Sequence, residues 1–230
     1  GIQLAVDEMK ARGGENRIKL ELMLNDEETD TKKAVNAYNT LKDNGMKVFI
    51  GTVTTGACLS VISQTKADNM FQITPSASAA KVIANDNCFQ VCFTDPNQGT
   101  ASADYIASKG LATKVAVIYN SSDAYSSGIY DNFKAEAAAK GLDLVASEAF
   151  TGDSKQDFSS QLSKIKASGA ELIFLPIYYQ EASLILSQAK NAGITAKFFG
   201  CDGLDGLLNI ENFDKSLAEN VMLLTPFAAN

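Results

Sequence analysis

The 230-residue sequence contains no histidine. Histidine is the commonest general base and metal ligand, and it activates the nucleophile in Ser-His and Cys-His enzymes. Carboxylates or lysines could still supply acid–base chemistry, but the absence of histidine makes an enzyme less expected. We therefore predict a protein that catalyses nothing and binds no metal, and we look for a binding function.

Basic residues are also scarce, with 20 Lys and Arg against 27 Asp and Glu, for a net charge of −7. No basic cluster interrupts the sequence, which argues against a nucleic-acid partner. No apolar run approaches the roughly 18 residues that a membrane-spanning helix needs. The content of 46% hydrophobic and 20% charged residues is ordinary for a soluble globular protein.

The sequence has only four cysteines, Cys58, Cys88, Cys92 and Cys201, and no CxxC pair or zinc-type spacing. Buried free thiols are the favoured interpretation. A disulfide is the alternative, and spacing alone cannot identify its partners.

Strand-like and helix-like segments alternate along almost the whole chain. The predicted strands are 18–24, 47–50, 71–74, 89–93, 114–119, 142–148, 172–175, 197–200 and 221–224. The predicted helices are 1–12, 31–42, 56–67, 99–109, 127–140, 158–167 and 181–191. Such alternation predicts an α/β fold of parallel sheets with helices on both faces. The break at residues 94–96 predicts a boundary between two lobes, 1–94 and 95–225.

Ligands in open α/β folds bind beyond the carboxyl ends of the strands. Five polar loops follow predicted strands: 51–56, 73–78, 120–126, 176–181 and 200–203. The first loop opens a helix, so its amides and hydroxyls could bind an anion, although an ordinary N-cap has the same sequence pattern. Each of the other loops, taken alone, is better explained as a turn or as a loop with a partly packed surface aromatic residue. All five together indicate a binding cleft.

Several segments, in order along the chain, resemble one known family: GIQLAVDEMKARGG, LNDEETDTKKAVNA, GTVTTGA, ITPSAS, CFTDPNQG, VAVIYNSSDAYSSG, DFSSQLSKIKASGAELIFLPIYYQEA and FFGCDG. They are similar to the leucine/isoleucine/valine-binding family of ABC-transporter substrate-binding proteins, which has the type I periplasmic-binding fold. The resemblance implies two lobes, each a parallel sheet with helices on both faces, and it covers essentially the whole chain. It also implies that the family's first strand and final third are absent, which leaves the lobes incomplete. Residues 226–230 would then begin a crossover back to the first lobe.

The resemblance places a ligand against seven residues: Thr55, Ser76, Ala77, Ser78, Tyr125, Tyr178 and Asp202. Thr55 matches the position whose hydroxyl and amide hold the ligand carboxylate, and the Ser76 carbonyl would accept from the ligand ammonium. Ser78 stands where the family usually has Thr, a change that removes one methyl group from the pocket. Tyr125 and Tyr178 match aromatic positions of the second lobe, and Asp202 matches the acidic partner of the ammonium.

By the same resemblance, the ligand is a small amino acid, branched-chain or otherwise aliphatic, and no cofactor is implied. The expected partner is an ABC permease, and the expected location is the periplasmic or extracellular face of the cytoplasmic membrane. The protein would be secreted or lipid-anchored and would meet the membrane only through an anchor or the permease. Two alternatives stay open. The first is another protein of the same fold, either a ligand-sensing ectodomain or a regulator that binds an amide or an aromatic acid. The second is a doubly wound enzyme that uses Asp202, Asp123 and Glu181.

Overall fold

A computed structural model describes residues 1–13 and 19–226. The helices are α1 (Ile2–Ala11), α2 (Thr31–Asp43), α3 (Thr55–Ala67), α4 (Asp95–Ser108), α5 (Ala124–Ala139), α6 (Ser159–Ser168) and α7 (Tyr179–Asn191). The strands are β1 (Phe49–Ile50), β2 (Gln72–Thr74), β3 (Cys88–Gln90), β4 (Lys114–Asn120), β5 (Asp143–Phe150), β6 (Leu172–Leu175), β7 (Lys197–Gly200) and β8 (Val221–Leu223). Short 3-10 helices follow several of these elements, including Asp202–Leu204 directly after β7. No helix in the described ranges is long and apolar enough to cross a bilayer.

The strands form two parallel sheets, with the orders β1-β2-β3 and β5-β4-β6-β7-β8. The predicted α/β class with parallel sheets is therefore confirmed. The strands of the first sheet precede α4 and those of the second follow it. The exact lobe boundaries of 1–94, 95–225 and 226–230 remain predictions, and residues 227–230 lie outside the described part of the chain.

The second sheet is buried on both faces because its central strands are near-continuous apolar runs. Val115, Val117 and Phe174 point to one face, where helices α4 and α5 cover them. Ile118 and Ile173 point to the other face, where α6 and α7 cover them. This double layer makes the larger lobe a firm support for the loops at its strand ends.

Helices α4 and α5 approach each other more closely than side chains would allow. A Cβ atom at Gly99 of α4 would lie 2.6 Å from the carbonyl oxygen of Ile129 and 2.7 Å from the amide nitrogen of Phe133, both on α5. The two backbones are therefore in direct contact at Gly99. Any larger residue at this position would force the helices apart.

The first sheet differs between its two faces. On one face Phe49 packs against Tyr38 of α2 and Val61 of α3. The opposite face carries large exposed side chains, which we call the apolar face: Val48, Ile50, Phe71, Phe89 and Val91. Its two phenylalanine rings stack with centroids 5.2 Å apart. Helices were predicted on both faces of each sheet. The second sheet has them on both faces, whereas in the first sheet α2 and α3 cover one face.

The predicted strand 18–24 is wrong for residues 19–24, which form no strand; Ile18 lies outside the described residues. A strand needs a ladder partner, and within the described ranges β1 pairs only with β2. The alternating pattern instead lets Met23 pack against the core beside α2.

Other boundaries shift by a few residues. Helix α4 begins at Asp95 because Pro96 is tolerated in a first helical turn. Helix α5 begins at Ala124 because the Asp123 side chain caps it, accepting from the amide of Ser126.

Candidate ligand-binding site

A cavity of about 640 Å³ lies where the carboxyl-terminal strand ends of the two sheets face each other. All five predicted loops contribute to its wall, and Thr29, Lys155 and Asp205 extend it. The placement follows from topology, because the carboxyl ends of parallel strands meet at one edge of a sheet.

The first sheet contributes hydrogen-bond donors through Thr55, the first residue of α3. Its side-chain oxygen accepts from the amides of Ser78, at 3.2 Å, and Ala79, at 3.4 Å. A hydroxyl has one proton to donate, so the Thr55 proton is free for another acceptor. Helix α3 has no side-chain cap, and the first amides of a helix lack intrahelical acceptors. The positive end of the helix dipole adds to this potential anion subsite.

The loop after β2 brings Ser76 and Ser78 to the cavity wall but not Ala77. Ala77 is buried, its amide donates to the Thr74 hydroxyl at 3.0 Å, and its carbonyl accepts from the Gln90 side chain at 3.4 Å. Six of the seven predicted residues therefore line the cavity, and Ala77 supports the loop from behind.

The second sheet contributes a carboxylate through Asp202, which directly follows Cys201 at the end of β7. The Tyr125 hydroxyl donates to Asp202 Oδ1 at 2.6 Å and accepts from the Gly203 amide at 2.9 Å. Burial raises the pKa of Asp202, while the hydrogen bond from Tyr125 opposes that rise. The Tyr125 ring also stacks on Tyr178, with centroids 4.8 Å apart. Two aromatic rings and a hydrogen bond thus fix the position of this carboxylate.

Residue 203 has to be glycine for this arrangement to form. A Cβ atom there would lie 2.6 Å from the Ile177 carbonyl oxygen and 2.8 Å from the Tyr125 hydroxyl. The chain therefore passes close enough for the Gly203 amide to reach Tyr125 only because no side chain intervenes.

A second carboxylate, Asp95, lies just behind the cavity and was not predicted as a site residue. The residue is 1% exposed, and neither carboxylate oxygen has a hydrogen-bond partner among the described residues. Burial raises the pKa of Asp95 to about 7; the neighbouring Ser78 hydroxyl opposes the rise and Asp202 adds to it. The Ser78 hydroxyl, however, makes no hydrogen bond of good geometry. The sequence signal was the polar run 95–98 at the lobe boundary, which we interpreted only as a break.

Two more acidic groups line the second-lobe wall. Asp123 is committed to capping α5, with its Oδ2 2.9 Å from the Ser126 amide, and burial raises the pKa of its carboxyl. The Oε1 atom of Glu181 lies 3.6 Å from the ammonium of Lys155. Its Oε2 atom is buried without a hydrogen-bond partner among the described residues. The described residues contain no cluster of histidine, cysteine, aspartate or glutamate suited to a metal ion. In the described part of the chain, the four cysteines are free thiols and form no disulfide.

The cavity therefore has opposite chemistry on its two sides. Hydroxyl and amide donors come from the first sheet, and carboxylates come from the second sheet and from the crossing between the sheets. A molecule with an anionic end and a cationic end would meet complementary groups at both.

Comparison with known proteins agrees with this architecture. A family model described as periplasmic binding protein matches residues 1–230. The Leu/Ile/Val-binding protein homolog 3 of Brucella melitensis is 32% identical over 206 residues, which cover 89% of this chain and 55% of that protein. A leucine-, isoleucine-, valine-, threonine- and alanine-binding protein of Pseudomonas aeruginosa is 28% identical, with the same coverage. The chain thus spans about half the length of these curated relatives.

Two solved structures resemble the chain closely. The branched-chain amino acid transporter substrate-binding protein LivJ of Streptococcus pneumoniae, in complex with isoleucine, superposes with a TM-score of 0.90 at 28% identity, over 99% of this chain and 65% of that one. The leucine-binding protein LivK of Thermotoga maritima also gives 0.90, at 26% identity, over 99% of this chain and 64% of that one. Together with the family match, they show that this chain belongs to the periplasmic binding protein family with the Leu/Ile/Val-binding proteins, a family of substrate-binding proteins and not of enzymes.

Proposed function

We propose that the chain is the ligand-binding part of a solute-binding protein that captures a small aliphatic amino acid for an ABC importer. One observation carries the proposal: hydrogen-bond donors at Thr55 and the start of α3 lie on one side of the cavity, and the carboxylate of Asp202 lies on the other. The names of the relatives, which specify leucine, isoleucine and valine and in one case also threonine and alanine, support the same ligand class.

In the proposed pose, the ligand carboxylate accepts from the Thr55 hydroxyl and from the first amides of α3. The ligand ammonium donates to Asp202 and to the backbone carbonyl of Ser76, with Asp95 beside them. The Ser78 hydroxyl, which has no partner in the structure, can bond to either end of the ligand. The low dielectric of a closed cleft strengthens both sets of contacts.

The side chain of the ligand would lie along the aromatic and aliphatic part of the wall. Tyr178 stacks on Tyr125 and so presents a fixed ring face, and Val53 contributes an aliphatic group from the other side. Apolar burial of this kind favours an aliphatic side chain by about 0.8 kcal/mol per buried methylene.

Binding between two lobes gives the protein a way to report occupancy. Closure by hinge motion would bury the ligand and present a closed surface to a membrane permease. The function requires a location outside the cytoplasmic membrane, where the protein is secreted or lipid-anchored.

Calorimetric titration with a panel of amino acids tests the ligand class. The panel contains L-leucine, L-isoleucine, L-valine and L-alanine. Two matched controls each lack one charged end of leucine: 3-methylbutylamine lacks the carboxylate, and 4-methylpentanoate lacks the ammonium. We expect the amino acids to bind and both controls to fail.

Binding of 4-methylpentanoate as tightly as leucine would contradict the ammonium site. An aromatic acid or an amide that binds in place of every amino acid would favour the regulator or sensory alternative of the same fold.

A further inference from the structure

We infer that ligand binding at this site releases a proton from the Asp95–Asp202 carboxyl pair, so that the site exchanges a proton for the ligand ammonium. The inference rests on the proposed function, because it requires a ligand with a cationic group. It adds a pH dependence that neither the family nor the relatives' names specify.

The two carboxyls of the pair are not equivalent. Asp202 accepts from the Tyr125 hydroxyl at 2.6 Å, and its own amide donates to the Gln98 side chain at 3.3 Å. Asp95 is almost fully buried, and neither of its oxygens accepts a hydrogen bond. A hydrogen bond from a donor stabilises the ionised carboxylate, whereas burial without donors favours the protonated form. The proton of the pair is therefore carried by Asp95, and Asp202 stays ionised.

The groups that face Asp95 come from every element packed around it. The first-lobe loops contribute the Ser78 hydroxyl and the Cys92 thiol, and the end of β7 contributes Cys201 and Asp202. The second-lobe helices contribute three further groups: Asp123 and Gly128 of the α5 region and Tyr178 at the start of α7.

Within the described ranges, the charged groups that act on the Asp95 carboxyl are two other carboxylates and no cation. The nearby Lys155 ammonium is instead placed beside Glu181, at 3.6 Å. A carboxyl that is almost fully buried, with other carboxylates near it and no counter-ion, does not ionise readily, so Asp95 keeps a proton. Burial accordingly raises the pKa of Asp95 to about 7.

An arriving ammonium supplies the missing positive charge. It favours the ionised form of both carboxyls, lowers the pKa of the pair, and displaces the proton into the solvent. By linkage, the affinity then falls as the solution becomes more acidic, by about tenfold per pH unit well below the pKa of the free pair. Between pH 8 and pH 5 the expected loss is roughly 100-fold.

Titration calorimetry in two buffers of different ionisation enthalpy at each pH, phosphate and imidazole at pH 6 and Tris and borate at pH 8.5, measures the released protons directly. With L-leucine and L-alanine as probes, we expect nearly one proton released per ligand at pH 6 and almost none at pH 8.5. Asp95→Asn should abolish the release and make the affinity nearly constant from pH 5 to pH 8. Asp131→Asn, which removes an exposed carboxylate of α5 that does not line the cavity, should behave as the unchanged protein.

A spectroscopic measurement covers the case in which Asp95→Asn folds but no longer binds. In protein labelled with ¹³C at aspartate carboxyls, the resonance missing from Asp95→Asn identifies Asp95. We expect this resonance to titrate near neutral pH in the free protein and to stay ionised from pH 5 to pH 8 when L-leucine saturates the site.

The outcomes separate this inference from the proposed function. Binding of leucine or alanine without proton release at pH 6 would overturn the exchange and leave the binding function intact. Release that persists in Asp95→Asn and disappears in Asp123→Asn would overturn the assignment to the Asp95–Asp202 pair. Failure of every amino acid to bind at any pH would refute the proposed function itself.

Discussion

Replacement of Tyr125 by phenylalanine tests how the cavity holds its carboxylate. The substitution removes one oxygen atom and keeps the ring, so the stacking on Tyr178 at 4.8 Å remains. It removes the donor to Asp202 and the acceptor for the Gly203 amide, at 2.6 and 2.9 Å. The two groups that lose their partner, the Asp202 carboxylate and the Gly203 amide, are half-buried in the cavity wall.

The magnitude follows from the types of bond that are lost. A hydrogen bond to a charged group contributes about 1.5–3 kcal/mol, so we expect the unfolding free energy to fall by roughly that amount. For a domain of this size each kcal/mol lowers Tm by about 2–4 °C. Asp202 also loses the contact that opposes its protonation. A carboxylate released from Tyr125 has to be ordered again when an amino acid binds, and ordering one side chain costs about 0.5–1.5 kcal/mol, so we expect amino-acid affinity to fall by roughly two- to tenfold.

Calorimetry of amino-acid binding and thermal unfolding of the free protein measure the two effects separately. Tyr105→Phe is the matched control, because Tyr105 is 46% exposed on α4 and does not line the cavity. An affinity for Tyr125→Phe within twofold of the unchanged protein would show that the hydroxyl does not position Asp202, and the reasoning would fail.

Four further changes have defined outcomes. Asp202→Ala should lower amino-acid affinity by roughly 30-fold or more, since removal of one partner of a buried charge pair costs about 2–5 kcal/mol; unchanged affinity in calorimetry would refute its role. Thr55→Val should weaken all amino-acid ligands by a similar factor, because they share the carboxylate, and a reordered preference in the same assay would place Thr55 at the side chain. Asp95→Asn should stabilise the ligand-free protein against urea unfolding by up to about 4 kcal/mol at pH 8 and barely at pH 4. The pKa of Asp95 in the folded protein, about 7, lies above the ordinary value of 3.8, so the stability of the unchanged protein falls as pH rises between these two values. The isolated chain should self-associate through the apolar face, and Phe71→Lys with Phe89→Lys should make it monomeric in light scattering; a monomeric unchanged chain would contradict this.

Local patterns were sufficient to predict the second sheet and the loops of the cavity. Strand β6 is a run of four buried apolar residues, Leu172–Leu175, and such runs are typical of parallel strands whatever their neighbours. The cavity loops were predictable because the polar residues follow strands, and parallel topology brings strand ends together.

The features that the sequence did not predict have a common physical origin in contacts between distant parts of the chain. Whether residues 19–24 form a strand depends on a ladder partner, which their own alternation cannot provide. The burial of Ala77 depends on Gln90 and Thr74, and the burial of Asp95 depends on helix α5. A carboxylate buried without donors has no distinct sequence pattern, because the same Asp-Pro dipeptide also begins ordinary exposed helices.

The backbone contact at Gly99 has a mechanical consequence. Because α4 and α5 touch there without intervening side chains, the two helices cannot slide or tilt independently, and Asp95 has to move together with the second sheet. The amide of Asp95 also donates to the Ser78 carbonyl at 2.9 Å, which ties the start of α4 to a loop of the first lobe. Within the described chain, the residues between Gln90 and Asp95 lead from the first sheet towards the second. Rotation of one lobe against the other has to turn this short segment, and because Ser78 lines the cavity, even a small rotation there changes the width of the cavity mouth.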